Sequence, residues 1–192
     1  MLEEIKDETA CDVIASLSIT RLRQSEARGL RWTDWNEDEQ TLSIARSVWR
    51  KHVGPTKNPA SEDSIPVLPP LRDLLTTRRE RIKPAPSDYI FAGVRRGAPL
   101  DFHNLVNRVI KPTLKNVSVI KWHGLHGFRC GLASNLFAMG ANPKVIAAIM
   151  RHQSISITLQ HYIKTPDAES RAAMEKLEAK IRNRPSGVIV GS

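Results

Sequence analysis

The most informative part of the sequence for the fold is HGFRCGLASNLFAMGANPKVIAAIMRHQSISITLQHYIKT, residues 126–165. Its apolar residues recur every three or four positions, as they do on one face of a helix. Gly140 ends the first run and Pro143 opens the second, which are the places these residue types prefer at helix ends and helix starts. The stretch therefore predicts three consecutive helices, over residues 125–139, 143–151 and 156–162.

Side chains suited to phosphate chemistry stand in order on these helices. His126 and Arg129 are three residues apart, so they leave one helix face and can reach one phosphate together. His152 and Tyr162 follow, and Arg23 stands far upstream at the entrance to another predicted helix. Metal-free phosphodiester cleavage needs a nucleophile, cations for the non-bridging oxygens and an acid for the leaving hydroxyl. The His126–Arg129 pair alone would be more typical of a helix surface, but the ordered set favours this chemistry.

The rest of the chain predicts a mainly α fold with a small antiparallel β-sheet. Helical spacing of apolar residues recurs over residues 5–17, 25–32, 69–81, 102–114 and 166–181. Residues 41–49 and 63–68 alternate in the manner of strands. Between them, residues 52–61 contain the glycine and prolines of a hairpin loop, with Lys57 near its tip. Lys57 is the candidate for the acid.

Length and cysteine content describe one compact domain. The chain has 192 residues, enough to bury a sizeable core. We expect the domain to occupy residues 1–182, because residues 183–192 have the proline, glycine and serine content of a flexible tail. Cys11 and Cys130 are too few for a disulfide framework or a cysteine-rich zinc site, which fits a reducing compartment.

Charge and hydropathy direct the protein towards nucleic acid. The formal net charge is +9, spread along the chain, so the surface should attract a polyanion; an inert basic surface is the alternative. No apolar stretch is long enough to span a membrane, and no signal peptide opens the chain, so we expect a cytoplasmic, nucleoid-associated protein. The sequence holds no P-loop and no converging carboxylates, so we expect no cofactor and no metal.

Two boxes resemble the catalytic domain of the tyrosine recombinases, the phage integrase family. The first is TRLRQSEARGLRWTDW, residues 20–35, in which Arg23 matches the first catalytic arginine of the family. The second is residues 126–165, in which an H-x-x-R pair, a glycine stop, a later histidine and a tyrosine follow in the family's order. The match covers most of the chain.

The resemblance implies a role for each candidate. It implies that the catalytic set is Arg23, Lys57, His126, Arg129, His152 and Tyr162. The arginines would bind the non-bridging oxygens, because guanidinium groups stay charged and fit phosphate geometry. The first histidine would orient the phosphate or accept the tyrosine proton, and the second would donate to a phosphate oxygen. The lysine would protonate the departing 5′ oxygen, for which Lys51 is the alternative. The tyrosine would form a 3′-phosphotyrosyl link.

The sequence departs from the family pattern at three positions. Arg21 and Arg151 stand where the family usually has glycine, and Gly127 stands where it usually has aspartate. None of these changes removes a catalytic side chain. The first and third could disturb the local backbone and hence the activity.

The implied function is site-specific DNA recombination or integration, with double-stranded DNA as partner and, as in the family, a tetramer assembled on DNA. The family's amino-terminal core-binding domain, which completes a clamp around DNA, has no counterpart in this sequence. A fragment and a degenerate gene product are both compatible with that. Two alternatives stay open: a non-catalytic DNA-binding module, in which the helices around Gly140 imitate a helix-turn-helix, and an inactive integrase remnant.

Overall fold

The fold is mainly helical, with two small antiparallel sheets. The computed structural model describes residues 2–50, 52–55, 63–95, 97–115, 122–151 and 175. The helices are α1 (Glu8–Ile19), α2 (Gln24–Gly29), α3 (Pro69–Ile82), α4 (Phe102–Leu105), α5 (Lys111–Leu114), α6 (His126–Ala138) and α7 (Pro143–Ile149). The strands are β1 (Trp35–Asn36), β2 (Thr41–Ile44), β3 (Arg46–Trp49), β4 (His52–Pro55) and β5 (Asp63–Pro66). The predicted fold class is confirmed.

Helix α1 begins directly after its capping residue, Asp7, and packs into the main apolar cluster. The Asp7 carboxylate accepts a hydrogen bond from the Ala10 backbone N–H at 2.8 Å, which satisfies one of the orphan donors of the first turn. Arg78 of α3 reaches back to donate to Asp12 at 2.6 Å and to the Ile90 carbonyl at 2.8 Å. These bonds fix α3 against α1 and the segment that follows α3.

The predicted strand over residues 41–49 is two strands that belong to different sheets. β2 pairs with β1 and β5 in a three-stranded sheet, whereas β3 pairs with β4 in a two-stranded one. The chain changes partner at Ala45, so one uninterrupted strand was the wrong prediction. The predicted loop over residues 52–61 is corrected at its start as well, because residues 52–55 form β4 and extend the hairpin.

The two-stranded sheet lies against α2 because one glycine lets the backbones approach. A Cβ built on Gly29 would lie 2.7 Å from the Arg46 carbonyl oxygen, closer than real side chains allow. The Arg28 guanidinium then donates to the carbonyls of Val48, Arg50 and Leu100. The arginine box is therefore joined directly to the hairpin that leads towards Lys57.

The predicted helix over residues 102–114 is continuous but contains one π-helical segment. Residues 106–110 adopt the i to i+5 pattern, in which the Lys111 N–H donates to the Val106 carbonyl. Pro112 follows at once and has no N–H to donate. The wider helical turn at residues 106–110 therefore lies just before a residue that cannot donate a backbone hydrogen bond.

Helices α6 and α7 form the second, smaller packing unit. Its buried members are Ala133, Ile146 and Met150, separate from the main cluster. Gly140 has a φ of 82° between the two helices, in the left-handed region that a glycine enters without steric cost. The predicted helix over 156–162, the tail, and all of the predicted helix over 166–181 except Glu175 lie outside the described residues. No helix among the described residues is long and apolar enough to cross a membrane.

Candidate phosphate site

Arg23 stands immediately before α2, where one buried carboxylate holds it. Glu26 is 3% exposed. Its Oε2 accepts from the Arg23 backbone N–H at 2.9 Å, and its Oε1 accepts from Arg23 Nη1 at 2.8 Å. The Arg23 side chain is nevertheless 40% exposed, so part of it faces solvent. Glu26 thus orients Arg23 without covering it.

Arg129 is buried on α6 and connects the two halves of the site. One Nη group donates to the Arg21 carbonyl and the other to the Met150 carbonyl. Burial, and after it the nearby positive charge of Arg23, lowers the pKa of the guanidinium to about 10, while Glu26 opposes the shift. At neutral pH the group is still protonated, so it can donate to an anion.

Three arginines converge on the turn that ends α7, residues 149–151. Arg21 Nη1 donates to the Ile149 carbonyl at 3.1 Å, Arg129 donates to the Met150 carbonyl, and Arg23 Nη2 donates to the Arg151 carbonyl at 3.3 Å. The last carbonyls of a helix lack partners within the helix and carry partial negative charge, which suits guanidinium donors. The turn directly precedes His152.

Arg151 adds a fourth guanidinium to the cluster. Its Nη1 lies 3.6 Å from Glu26 Oε2, and its side chain is only 8% exposed. Its φ is 53°, in the left-handed region where glycine is favoured. Glycine, which is usual in the family at this position, adopts that conformation without steric cost. Arg151 adopts it with a side chain, so the local backbone strain remains.

His126 is exposed at the first residue of α6, one turn before Arg129. The neighbouring Gly127 fits a tight space, since a Cβ there would lie 3.1 Å from the His123 Cβ. A larger residue at position 127 therefore requires His123 to move.

The structure brings Arg23 and Arg129 together and places His126 one turn away, whereas Lys57, His152 and Tyr162 lie outside the described residues. Lys57 comes two residues after the end of β4, and His152 comes directly after the turn held by the arginines. Among the residues that the structure describes, no group of three or more His, Cys, Asp or Glu side chains could hold a metal ion.

Sequence reasoning missed how the neighbours of Arg23 act. Arg21 was expected to disturb the local backbone, and Arg151 was noted only as a departure from the family's glycine. Arg21 instead donates to the Ile149 and Ser64 carbonyls, and Arg151 pairs with Glu26. Arg21 and Arg23 each lie 128 residues from the carbonyls of Ile149 and Arg151 that they bind, so no local pattern revealed these contacts.

Comparison with known proteins places the chain. The sequence model of the phage integrase family matches residues 3–169. A tyrosine recombinase XerC-like protein of Caldanaerobacter subterraneus subsp. tengcongensis is 26% identical over 183 residues, covering 82% of this chain and 46% of the relative. The chain therefore spans about half the length of that relative.

Solved structures show the same fold. The integrase of transposon Tn1549, solved with circular intermediate DNA, superposes with a TM-score of 0.75 at 24% identity, covering 92% of this chain and 63% of that one. The XerA recombinase gives 0.63 at 18% identity, covering 93% and 60%. The catalytic domain of bacteriophage HP1 integrase gives 0.52 at 16% identity, covering 99% and 92%. By fold and by sequence, the chain belongs to the phage integrase family.

Proposed function

We propose that this chain is the catalytic domain of a tyrosine-type site-specific recombinase that cleaves and rejoins DNA. One observation carries the proposal: Arg23 and Arg129, more than a hundred residues apart, meet at the single turn that leads into His152. Two guanidinium groups at one place can each donate to a different non-bridging oxygen of one phosphate. That geometry stabilises the charge that develops on a five-coordinate phosphorus.

The cleavage step would be an exchange of phosphate esters. The Tyr162 oxygen bonds to phosphorus and loses its proton, and the bond from phosphorus to the 5′ oxygen breaks. Lys57 supplies the proton that the 5′ oxygen takes up. A 3′-phosphotyrosyl link remains, which a second 5′ hydroxyl can attack to rejoin the strand without ATP.

The two histidines would assist this exchange. His126, exposed at the start of α6, would orient the phosphate or accept the tyrosine proton, because a neutral imidazole is available near neutral pH while a free phenol keeps its proton. His152 would donate to a phosphate oxygen. The arginine bonds to residues 149–151 support this proposal, since they fix the chain immediately before that histidine.

The proposed partner is double-stranded DNA, on which four copies would assemble for strand exchange. The XerC-like relative is about twice as long as this chain, so the isolated chain should contact fewer phosphates than that protein does. We therefore expect weak, salt-dependent DNA binding and little complete recombination by this chain alone.

Trapping of the covalent adduct tests the proposal. The chain is incubated with a library of randomised duplexes, each carrying a nick that lets the short cleaved fragment diffuse away. Protein-linked DNA is then detected on a denaturing gel and sequenced, which also identifies the target site. The wild type should form an adduct in excess EDTA, because arginines rather than a metal neutralise the phosphate.

The chain offers a matched control, since it has two tyrosines. Tyr162→Phe should abolish the adduct, whereas Tyr89→Phe should retain it, because Tyr89 is buried beneath the Arg31 guanidinium. An undiminished adduct from Tyr162→Phe, or strict dependence on magnesium, would contradict the mechanism. DNA retention with no adduct from the wild type would favour a non-catalytic DNA-binding module, whose helix-turn-helix would be α6, Gly140 and α7.

A further inference from the structure

Glu26 serves two arginines at once, and the second is specific to this chain's departure from the family pattern. Its Oε1 accepts from Arg23 Nη1 at 2.8 Å. Its Oε2 accepts from the Arg23 backbone N–H at 2.9 Å and lies 3.6 Å from Arg151 Nη1. Each carboxylate oxygen therefore has a defined neighbour on its own side.

Without Arg151 beside it, Glu26 has a stronger way to pair with Arg23. Arginine and carboxylate groups prefer a bidentate pair, in which both oxygens accept from one guanidinium. In such a pair Glu26 would occupy two donors of Arg23 instead of one. Arg23 now gives one donor to Glu26 and one to the Arg151 carbonyl, so a bidentate pair would leave an incoming phosphate fewer free donors.

The backbone at Arg151 indicates that its side chain has a use. The φ of 53° carries a steric cost for any residue with a Cβ, and a glycine would avoid it. The side chain is nonetheless directed inward, where it is 8% exposed and faces Glu26. An arginine held in a left-handed turn beside the carboxylate partner of Arg23 points to a function for that pair.

We propose that Arg151 is a positioning residue: it holds Glu26 Oε2, and so keeps Arg23 in a single-bond pair with Glu26 that leaves its remaining donors to phosphate. The inference rests on the proposed function, in which Arg23 binds the scissile phosphate. It assigns Arg151 no contact with DNA and no part in proton transfer.

Inorganic phosphate is the probe, with binding measured as the rise in melting temperature with phosphate concentration for the full chain. Arg151→Met keeps an unbranched stem and the backbone strain but removes the guanidinium and its charge. It should weaken phosphate binding about 5- to 10-fold. Arg151→Lys, which can still pair with Glu26, should stay within about 2-fold of wild type. Arg72→Met is the matched control, because Arg72 is an exposed arginine on α3 paired with Asp73, and it should change nothing.

A double-mutant cycle separates positioning from simple charge. In a Glu26→Gln background the competing carboxylate is gone, so Arg151→Met should alter phosphate binding less than about 2-fold. Equal weakening in both backgrounds would overturn the inference, because Arg151 would then act only as a positive charge. Wild-type affinity in Arg151→Met, or a loss in Arg151→Lys as large as that in Arg151→Met, would overturn it too.

If the proposed phosphate site itself is wrong, the variants give a different set of results. Arg23→Met should lose phosphate binding altogether. If it binds phosphate as the wild type does, the phosphate site is misassigned and this inference falls with it. If Arg23→Met loses binding and Arg151→Met does not, the proposed function stands and only the role of Arg151 is wrong. Circular dichroism of each variant without phosphate identifies any that fail to fold, and the lysine variant then decides the question.

Discussion

Two regions of this molecule carry the two halves of the proposed site and are held together by different forces. The main core, formed by the buried apolar residues of one cluster between Ile5 and Leu125, supports the arginine box. The α6–α7 corner has three buried apolar residues of its own, Ala133, Ile146 and Met150. The turn at its end is bound to the arginine box by guanidinium groups that donate to carbonyls.

The two regions therefore differ in how easily they open. Apolar burial is non-directional and stabilises the arginine box whatever occupies the phosphate site. Hydrogen bonds from charged donors contribute only while their geometry is kept, and an unpaired buried charge is costly. We therefore expect the corner to open locally at a lower free energy than the core unfolds.

The largest effect should come from Arg129→Met, which breaks the connection between the two regions. It removes donors to the Arg21 and Met150 carbonyls and one candidate phosphate ligand. The rate of adduct formation should fall by about 10² to 10³. Stability should fall by about 1.5 to 3 kcal/mol per charged hydrogen bond lost, as measured by urea unfolding. Arg72→Met, changed on the surface of α3, should match the wild type in both measurements, and a similar loss there would show a nonspecific effect.

Large-to-small substitutions should next separate the core from the corner. Leu17→Ala, in the main core, should lower the free energy of unfolding by about 2 to 5 kcal/mol. Ile146→Ala, in the corner, should chiefly reduce hydrogen-exchange protection of α6 and α7. Equal loss of protection throughout the chain in both variants would mean that the two regions unfold as one.

A smaller effect is expected where the hairpin meets the arginine box. Gly29→Ala places a Cβ 2.7 Å from the Arg46 carbonyl oxygen, so β3 must shift away from α2. The free energy of unfolding should fall by about 1 to 3 kcal/mol, read from the urea midpoint. An alanine at position 131 of α6, where a Cβ meets nothing within 4 Å, is the control and should not destabilise the chain.

The smallest expected change is in the salt dependence of DNA binding. If Arg23 contacts one phosphate, Arg23→Met should reduce the slope of log affinity against log salt by about 0.9. Fluorescence anisotropy over a salt series measures that slope. An unchanged slope with weaker affinity would mean that Arg23 supports the fold of the site and does not contact DNA.

The sequence predicted the helices better than the sheets. Helical periodicity is local, so the helices over 69–82 and 126–138 fall within a residue or so of their predicted ends. The break at Ala45 depends on β5 pairing with β2 and β4 pairing with β3, and β4 and β5 lie further along the chain. A two-fold alternation alone cannot reveal that a strand changes sheets.

The same contrast applies to the candidate site. Arg23, His126 and Arg129 could be selected from motif order, and the first and last of these meet in space. The pairing of Glu26 with Arg151 could not be predicted, because it depends on the ending of α7 beside α2. The roles of Lys57, His152 and Tyr162 stay predictions.

A crystal structure of the chain with inorganic phosphate would test the central claim most directly, namely that the two regions share one phosphate site. We expect a tetrahedral anion that accepts hydrogen bonds from the guanidinium groups of both Arg23 and Arg129, beside the turn at residues 149–151. An anion bound elsewhere, with both arginines still fully occupied by Glu26 and the backbone carbonyls, would contradict it.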